Sequence, residues 1–314
     1  MKSLLQTKEW AKLRESQGWR VHWVENILVL EKPLPMGLSF LYVPEVDFYK
    51  LEIAKNIEKI KEIAKKSQAI FIRLDILNKK NSKFSQIIAS NLKKYNFIKA
   101  FEEIQPEYRQ ITDITKSDEQ ILTAMKPKGR YNIRVAQKNQ VTCTKYQESE
   151  IKEGINIFYD LFKKNDSRDG FGIRPKAYFE KLMEILSPAG LAELLVCSYN
   201  GKPVAADIFT FYDEMASYLY GASSSEARNV MAPYLMHWEA IKLAKEKDCK
   251  LYDLLAISPF GENPNQKLVK KYEGITRFKE QFGGRKVQTF GSWDLVTKPL
   301  WYNLFKMIEK MRRR

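Results

Sequence analysis

A chain of 314 residues is long enough for two domains, and an apolar share of 44% belongs to a globular rather than a disordered protein. Its 53 basic and 38 acidic residues leave a net charge of +15, which points to a polyanionic partner such as nucleic acid or an anionic membrane surface. Three scattered cysteines (Cys143, Cys197, Cys249) without a CxxC pair, and only two histidines (His22, His237), suggest core packing rather than a disulfide framework, a zinc site or a Ser-His-Asp triad. No apolar run reaches the ~18 to 20 residues of a membrane span and the N-terminus is too charged for a signal peptide, so a cytoplasmic protein is expected.

In chain order, residues 4–18 predict a short amphipathic helix with Leu5, Trp10 and Leu13 inward and Gly18 at its end. Strands follow at 20–23, 27–31 and 39–43. A helix over 49–66 places Ile53, Ile57, Ile60 and Ala64 on one face. The near-continuous apolar start of AIFIRLDI (69–76) predicts a central strand buried on both faces. A helix at 85–95 and strands near 98–101 and 110–113 complete a first domain, 1–125. Ser117 with Gln120 three residues on is a capping box opening a short helix.

The second domain, 126–289, opens on a helix over 127–139 whose Arg130, Arg134 and Lys138 are four apart and line one face, with Lys126 and Lys128 beside them. An amphipathic helix at 150–164, an Asp/Arg/Gly-rich loop at 165–173 and a helix from Pro175 to 186 come next. Strands at 191–199, 203–211 and 215–221 form an antiparallel meander, the first pair joined by the hairpin signal Asn200-Gly201. A helix at 232–247 then carries the chain to a fourth strand at 250–257. The same order of strand, strand, helix, strand occurs in the first half, a weak internal repeat that supports two domains of one fold. Residues 263–284 read as two helical pieces, 286–290 as a strand, and 299–314 as a helix with Trp301, Leu304, Phe305 and Ile308 inward.

Several blocks carry a resemblance: KGRYNIR (128–134), RDGFGIRP (168–175), YLYGASS (218–224), MAPYL (231–235), LYD (251–253), TRFK (276–279) and QFGG (281–284). In these words and in this order the chain resembles the FemABX family of peptidoglycan interpeptide bridge-forming aminoacyltransferases. The resemblance implies an α/β (α+β) fold of two GNAT-like domains, each a mostly antiparallel sheet flanked by helices, with the helix of 290–314 packed back on the first. It implies transfer from aminoacyl-tRNA to the stem-peptide amine of UDP-MurNAc-pentapeptide or lipid II, with no cofactor, no metal and a peripheral contact with the inner membrane face.

By the same resemblance Lys279 is the functional lysine that balances phosphate or developing negative charge, with Phe278 beside it in the substrate site. Lys12, Arg174, Tyr178 and Tyr220 match residues that bind the muropeptide. Asp75 matches an acidic residue considered as general base, although a strand-end carboxylate near Arg73 is often simply paired. Lys128, Arg130, Arg134 and Lys138 are the expected tRNA contacts. Glu45-Val46 stands after Tyr42-Val43-Pro44 where many relatives have Arg-Gly, which removes a cation there. The competing readings are a GNAT-fold N-acyltransferase on another amine and a non-catalytic RNA- or membrane-binding protein. The absence of glycine from 223–232 argues against a CoA pyrophosphate loop.

Overall fold

The computed structural model describes residues 2–49, 52–169, 174–262 and 264–312. The chain divides into two compact units, Met1–Glu107 with Gln288–Arg314, and Tyr108–Val287.

The first unit begins with a 3-10 turn, Leu4–Gln6, and helix α1 (Lys8–Glu15). Thr7 separates what the apolar spacing reads as one helix: its backbone is extended and its hydroxyl accepts the Trp10 N–H, so it caps α1. Strands β1 (Arg20–Val24), β2 (Ile27–Pro33) and β3 (Ser39–Val46) form an antiparallel meander. Helix α2 (Ile53–Lys66) buries Ile53, Ile57, Ile60 and Ala64 and leads to β4 (Ala69–Lys79), which runs parallel to β3. A parallel neighbour requires such a crossover. Helix α3 (Ser85–Lys94) and the short β5 (Ile98–Lys99) follow.

The second unit contains β6 (Tyr108–Asp113), α4 (Asp118–Ala124), α5 (Pro127–Lys138), β7 (Thr142–Tyr146), α6 (Ile151–Asp169) and α7 (Lys176–Leu186). After these come β8 (Ala192–Tyr199), β9 (Lys202–Tyr212), β10 (Met215–Ser223), α8 (Ala232–Glu246), β11 (Leu251–Ala256) and α9 (Gln266–Lys279). Its strand order is β6-β11-β10-β9-β8-β7. Only β10 and β11 are parallel; the other pairs are antiparallel. Asn200 and Gly201 both take positive φ, 50° and 73°, as the tight β8–β9 turn requires. Antiparallel meander, helix, parallel strand is thus built twice, once as β1-β2-β3-α2-β4 and once as β8-β9-β10-α8-β11, the arrangement expected of two GNAT-like domains.

Four further details differ from the sequence reading. The division falls after Glu107, not after 125, because β6 pairs with β11 and because Ile121 and Met125 belong to the second unit's core. Helix α6 continues to Asp169, into the segment read as a loop, and 170–173 lie outside the described residues. Cys143 and Cys197 form a disulfide: β7 and β8 pair in a register that sets the two directly opposite, which their separation of 54 residues conceals. Cys249 stays free and buried.

The fourth detail is β12 (Arg285–Val296), far longer than the strand read at 286–290, followed by α10 (Pro299–Arg312). Polar residues Ser292 and Asp294 hide the strand in the sequence. Both are fully buried because each has a buried partner on β4, which β12 flanks antiparallel on the edge away from β3. Arg73 Nε and Nη2 donate to the two carboxylate oxygens of Asp294, each at 2.7 Å, and the Tyr302 hydroxyl donates to Asp294 Oδ2 at 2.9 Å. One carboxylate therefore fastens β12 to β4 and α10 to both. A buried bidentate pair stabilises little over an apolar replacement, but removing one partner strands the other. Asp294→Ala is expected to lower the unfolding free energy by about 3–5 kcal/mol in urea denaturation. A loss under 1 kcal/mol would contradict this role.

Candidate active site

Helix α9 is capped by Asn265, whose side chain accepts the Leu268 N–H, and ends at Lys279. Thr276 and Lys279 are three apart and so share a face, and that face holds the end of β11. The Thr276 hydroxyl accepts the Ser258 N–H at 2.7 Å and Lys279 Nζ donates to the Ala256 carbonyl at 2.8 Å. A kink in β11 accompanies this contact. Leu255 takes φ 56°, in the left-handed region, and Asp253 Oδ1 accepts its N–H at 2.7 Å. Asp253 Oδ2 is anchored by Arg109 at 3.0 Å.

On the other side, the parallel ladder between β10 and β11 covers only Met215–Ser217 against Leu251–Asp253, although β10 continues to Ser223 and β11 to Ala256. The strands part there. Just beyond the parting, β10 has a bulge: Tyr218 lies opposite Phe209, but Tyr220 lies opposite its neighbour Ile208. Residues two apart on a regular strand share a face, and one extra residue sends them to opposite faces. Tyr218 accordingly turns toward His237 (ring centroids 4.6 Å apart) and lies 5.6 Å below Lys279 Nζ. Tyr220 turns the other way, its hydroxyl 3.1 Å from that of Tyr178 and its ring 5.1 Å from that of Phe179. Arg174 stacks on Tyr178 with its guanidinium carbon 4.6 Å from the ring centre. The structure thus brings together Arg174, Tyr178 and Tyr220 on one face of β10, and puts Lys279 on the other.

The Lys279 side is a buried cluster of ionisable groups. Lys279 is only 3% exposed, and desolvation pulls its amine down to about 7 against a smaller opposing pull from Asp253. Burial, and secondarily Lys279, take the His237 imidazole down to about 3, so it is neutral, and its Nδ1 shares a hydrogen bond with the Tyr252 hydroxyl. Burial holds the Asp207 carboxyl well above its usual range, against a single opposing hydrogen bond from the Ala222 backbone. It raises the Tyr218 phenol as well, and Asp207 adds to that. Gly221 makes room for this packing, since a Cβ there would overlap the Tyr218 hydroxyl and the Asp207 carboxyl. Asp207, His237 and Tyr252 were not singled out as site residues in the sequence; the one available signal was an aspartate inside the apolar strand PVAADIFTF.

The other expected residues are placed as follows. Phe278 is partly buried among the rings of Tyr234, His237 and Phe282. On α5, Lys128, Arg134 and Lys138 are exposed, with exposed Tyr131 between them. Arg130 is instead turned back to donate to the carbonyls of Thr123 (3.1 Å) and Met125 at the end of α4. In the first unit, Lys12 is exposed on α1. Asp75 is buried and is not the partner of Arg73, whose bidentate acceptor is Asp294; it accepts from the hydroxyls of Tyr42 and Ser292. Burial raises its carboxyl to about 7 despite those two bonds.

The Lys279 shift has a thermodynamic consequence. An unfolded lysine binds its proton up to about pH 10.5 and the folded one only to about 7, so stability rises with pH across that window. Lys279→Met is therefore expected to stabilise the fold, by up to ~4 kcal/mol below pH 7, with the gain shrinking toward pH 10. Urea unfolding across this range checks it; a destabilised variant at pH 6 would show that the amine is not held against desolvation.

Three comparisons bear on this arrangement. The model of the FemAB family matches residues 1–202 and 191–310. The lipid II:glycine glycyltransferase of Staphylococcus haemolyticus is 24% identical over 389 aligned positions, covering 98% of this chain and 91% of the relative. The enzyme of the same name from Staphylococcus aureus is 28% identical over 270 positions, 79% of this chain and 63% of the relative. Among solved structures, FemX superposes with a TM-score of 0.82 over 97% of this chain and 94% of its own, at 21% identity. The C-terminal domain of a putative lysylphosphatidylglycerol synthetase from Agrobacterium fabrum gives 0.62 over 96% and 92%, at 12% identity. Both structures share the fold.

Proposed function

The chain belongs to the FemAB family, and from that premise we propose that it transfers an aminoacyl group, glycine first among the candidates, from aminoacyl-tRNA to the stem-peptide amine of a lipid II-type peptidoglycan precursor. The observation that carries the reading is the buried Lys279 amine beside the parting of β10 and β11. An activated ester entering on the Lys279 side would meet an amine poised near neutrality in a buried site, where a cation stabilises a developing oxyanion most strongly. The acceptor would lie on the opposite face of β10, where Arg174 and the hydroxyls of Tyr178 and Tyr220 suit a phosphorylated, sugar-bearing peptide. The parting of β10 and β11 is where the two would meet.

The reaction balances without a cofactor. The acceptor nitrogen attacks the ester carbonyl, the C–N bond forms, the bond to the terminal ribose oxygen breaks, and the proton lost from nitrogen ends on that oxygen. Lys279 supplies charge and no covalent intermediate is needed. The exposed cations Lys128, Arg134 and Lys138 support a tRNA donor, since phosphate contacts supply most sequence-independent affinity. A CoA donor is disfavoured by the lack of glycine in 223–232.

Purified protein incubated with labelled aminoacyl-tRNAs and either the lipid-linked or the nucleotide-linked muropeptide should move label into the acceptor. Lys279→Met should slow that step at least ~100-fold while remaining folded. Failure of label to reach either acceptor, with tRNA still bound, would overturn the proposal.

A further inference from the structure

The helical period places Leu304 and Ile308 inward on α10, together with Trp301 and Phe305. The structure divides this set. Trp301, Tyr302 and Phe305 pack on Ile70 and Phe71, but Leu304 is 41% and Ile308 46% exposed. With them, Leu300 (85%), Met307 (53%) and Met311 (57%) make one exposed apolar stripe at positions i, i+4, i+7, i+8 and i+11, about 16 Å long at 1.5 Å per residue. Lys310 and Arg312, both exposed, border it, and exposed Lys306 lies further round the helix on the Lys310 side. Met36, 79% exposed, stands at the tip of the turn between Leu34 and Leu38, and those two leucines seat on the same cluster as Trp301 and Phe305. The first unit therefore carries an apolar ridge and a neighbouring apolar tip, rimmed by cations.

We propose that α10, with Met36 beside it, is a docking element for an anionic phospholipid surface, resting on the reading above in which the acceptor is lipid-linked. A helix that inserts its apolar face a few ångströms into the headgroup region carries lysine and arginine at the rim, where each cation near an anionic surface adds about 1 kcal/mol. Charge disfavours a second copy as the occupant. Two such helices packed stripe to stripe would bring two cationic rims together with no free carboxylate to match them, since the one acidic residue of α10, Glu309, is already paired to Arg312 at 3.2 Å with its side chain only 14% exposed. Docking by α10 would hold the first unit at the bilayer, with Asp294 and Tyr302 fixing the helix beneath, and so keep the chain at the membrane that contains a lipid-linked acceptor.

The test is flotation of the full chain with vesicles of phosphatidylcholine alone and of phosphatidylcholine with about 30 mol% phosphatidylglycerol. The expected result is binding to the anionic vesicles only, weakened by salt, and lowered at least about tenfold by Leu304→Asp with Met307→Asp and, separately, by Lys306→Glu with Lys310→Glu. These side chains are exposed, so the variants should keep the wild-type unfolding transition and, in the transfer assay, their activity on the water-soluble nucleotide-linked acceptor. Equal flotation of wild type and both variants, or no flotation of wild type, would overturn the proposal; so would a dimer of the wild type in light scattering that dissociates in the Leu304→Asp/Met307→Asp variant, which would assign the stripe to a second copy. Anionic-vesicle binding that depends on α10 would support the docking role even if no acyl transfer were found, and that pairing would refute the transferase reading alone.

Discussion

An amine that is 3% exposed is kept in a protein interior only if something takes the place of water, and in the second unit that partner is the Ala256 carbonyl, 2.8 Å from Lys279 Nζ. Much of the surrounding geometry is tied to this contact. The carbonyl belongs to a kinked strand, the kink is held by Asp253 on the Leu255 N–H, and Asp253 is held by Arg109. Each link costs stability: a left-handed leucine, a desolvated amine, a buried ion pair. Natural sites accept such costs where the chemistry benefits, and here, among a neutral imidazole, buried phenols and a carboxyl raised by burial, the lysine is brought near neutral pH.

The two units share one strand order and use it differently. In the first, β3 and β4 pair along their length from Ser39–Ala69 to Val46–Ile76, through two register shifts, and the carboxyl near their far end, Asp75, is engaged by Tyr42 and Ser292. In the second, β10 and β11 separate after three residue pairs, and the bulge beyond turns two tyrosines to opposite faces. A parallel pair is a scaffold in one copy and an opening in the other. Arg73, Asp294 and Tyr302 show the first copy's emphasis: its buried charge fastens strands and the C-terminal helix together.

Most of the fold was legible because its signals are local. The capping box at Ser117 and Gln120, the Asn200-Gly201 turn and the apolar strand 69–76 each follow from one stretch of chain, and the structure contains all three. What escaped depends on partners distant in sequence. Ser292 and Asp294 look like loop residues until Asp75 and Arg73 are set opposite them, and Cys143 meets Cys197 only through the β7–β8 register. The Lys279 site was named through its TRFK block, but its burial, the near-neutral amine and the roles of Asp207, Gly221 and His237 arise from a bulge that no periodicity reveals. On α10 the helical period holds but the buried arc is narrower than the apolar spacing implies, because nothing local says which apolar residues of a helix stay uncovered.

The most direct test of the central claim is the pH dependence of single-turnover transfer in the wild type and in Lys279→Arg. If the Lys279 ammonium stabilises the oxyanion, the rate should climb as the acceptor amine loses its proton and then level off above about pH 7, where Lys279 begins to lose its own. The arginine variant, which cannot deprotonate in this range, should keep climbing toward the ordinary amine pKa of ~10.4. Wild-type and variant profiles that climb in parallel through pH 7 would contradict a functional Lys279 charge and leave the amine a buried structural group.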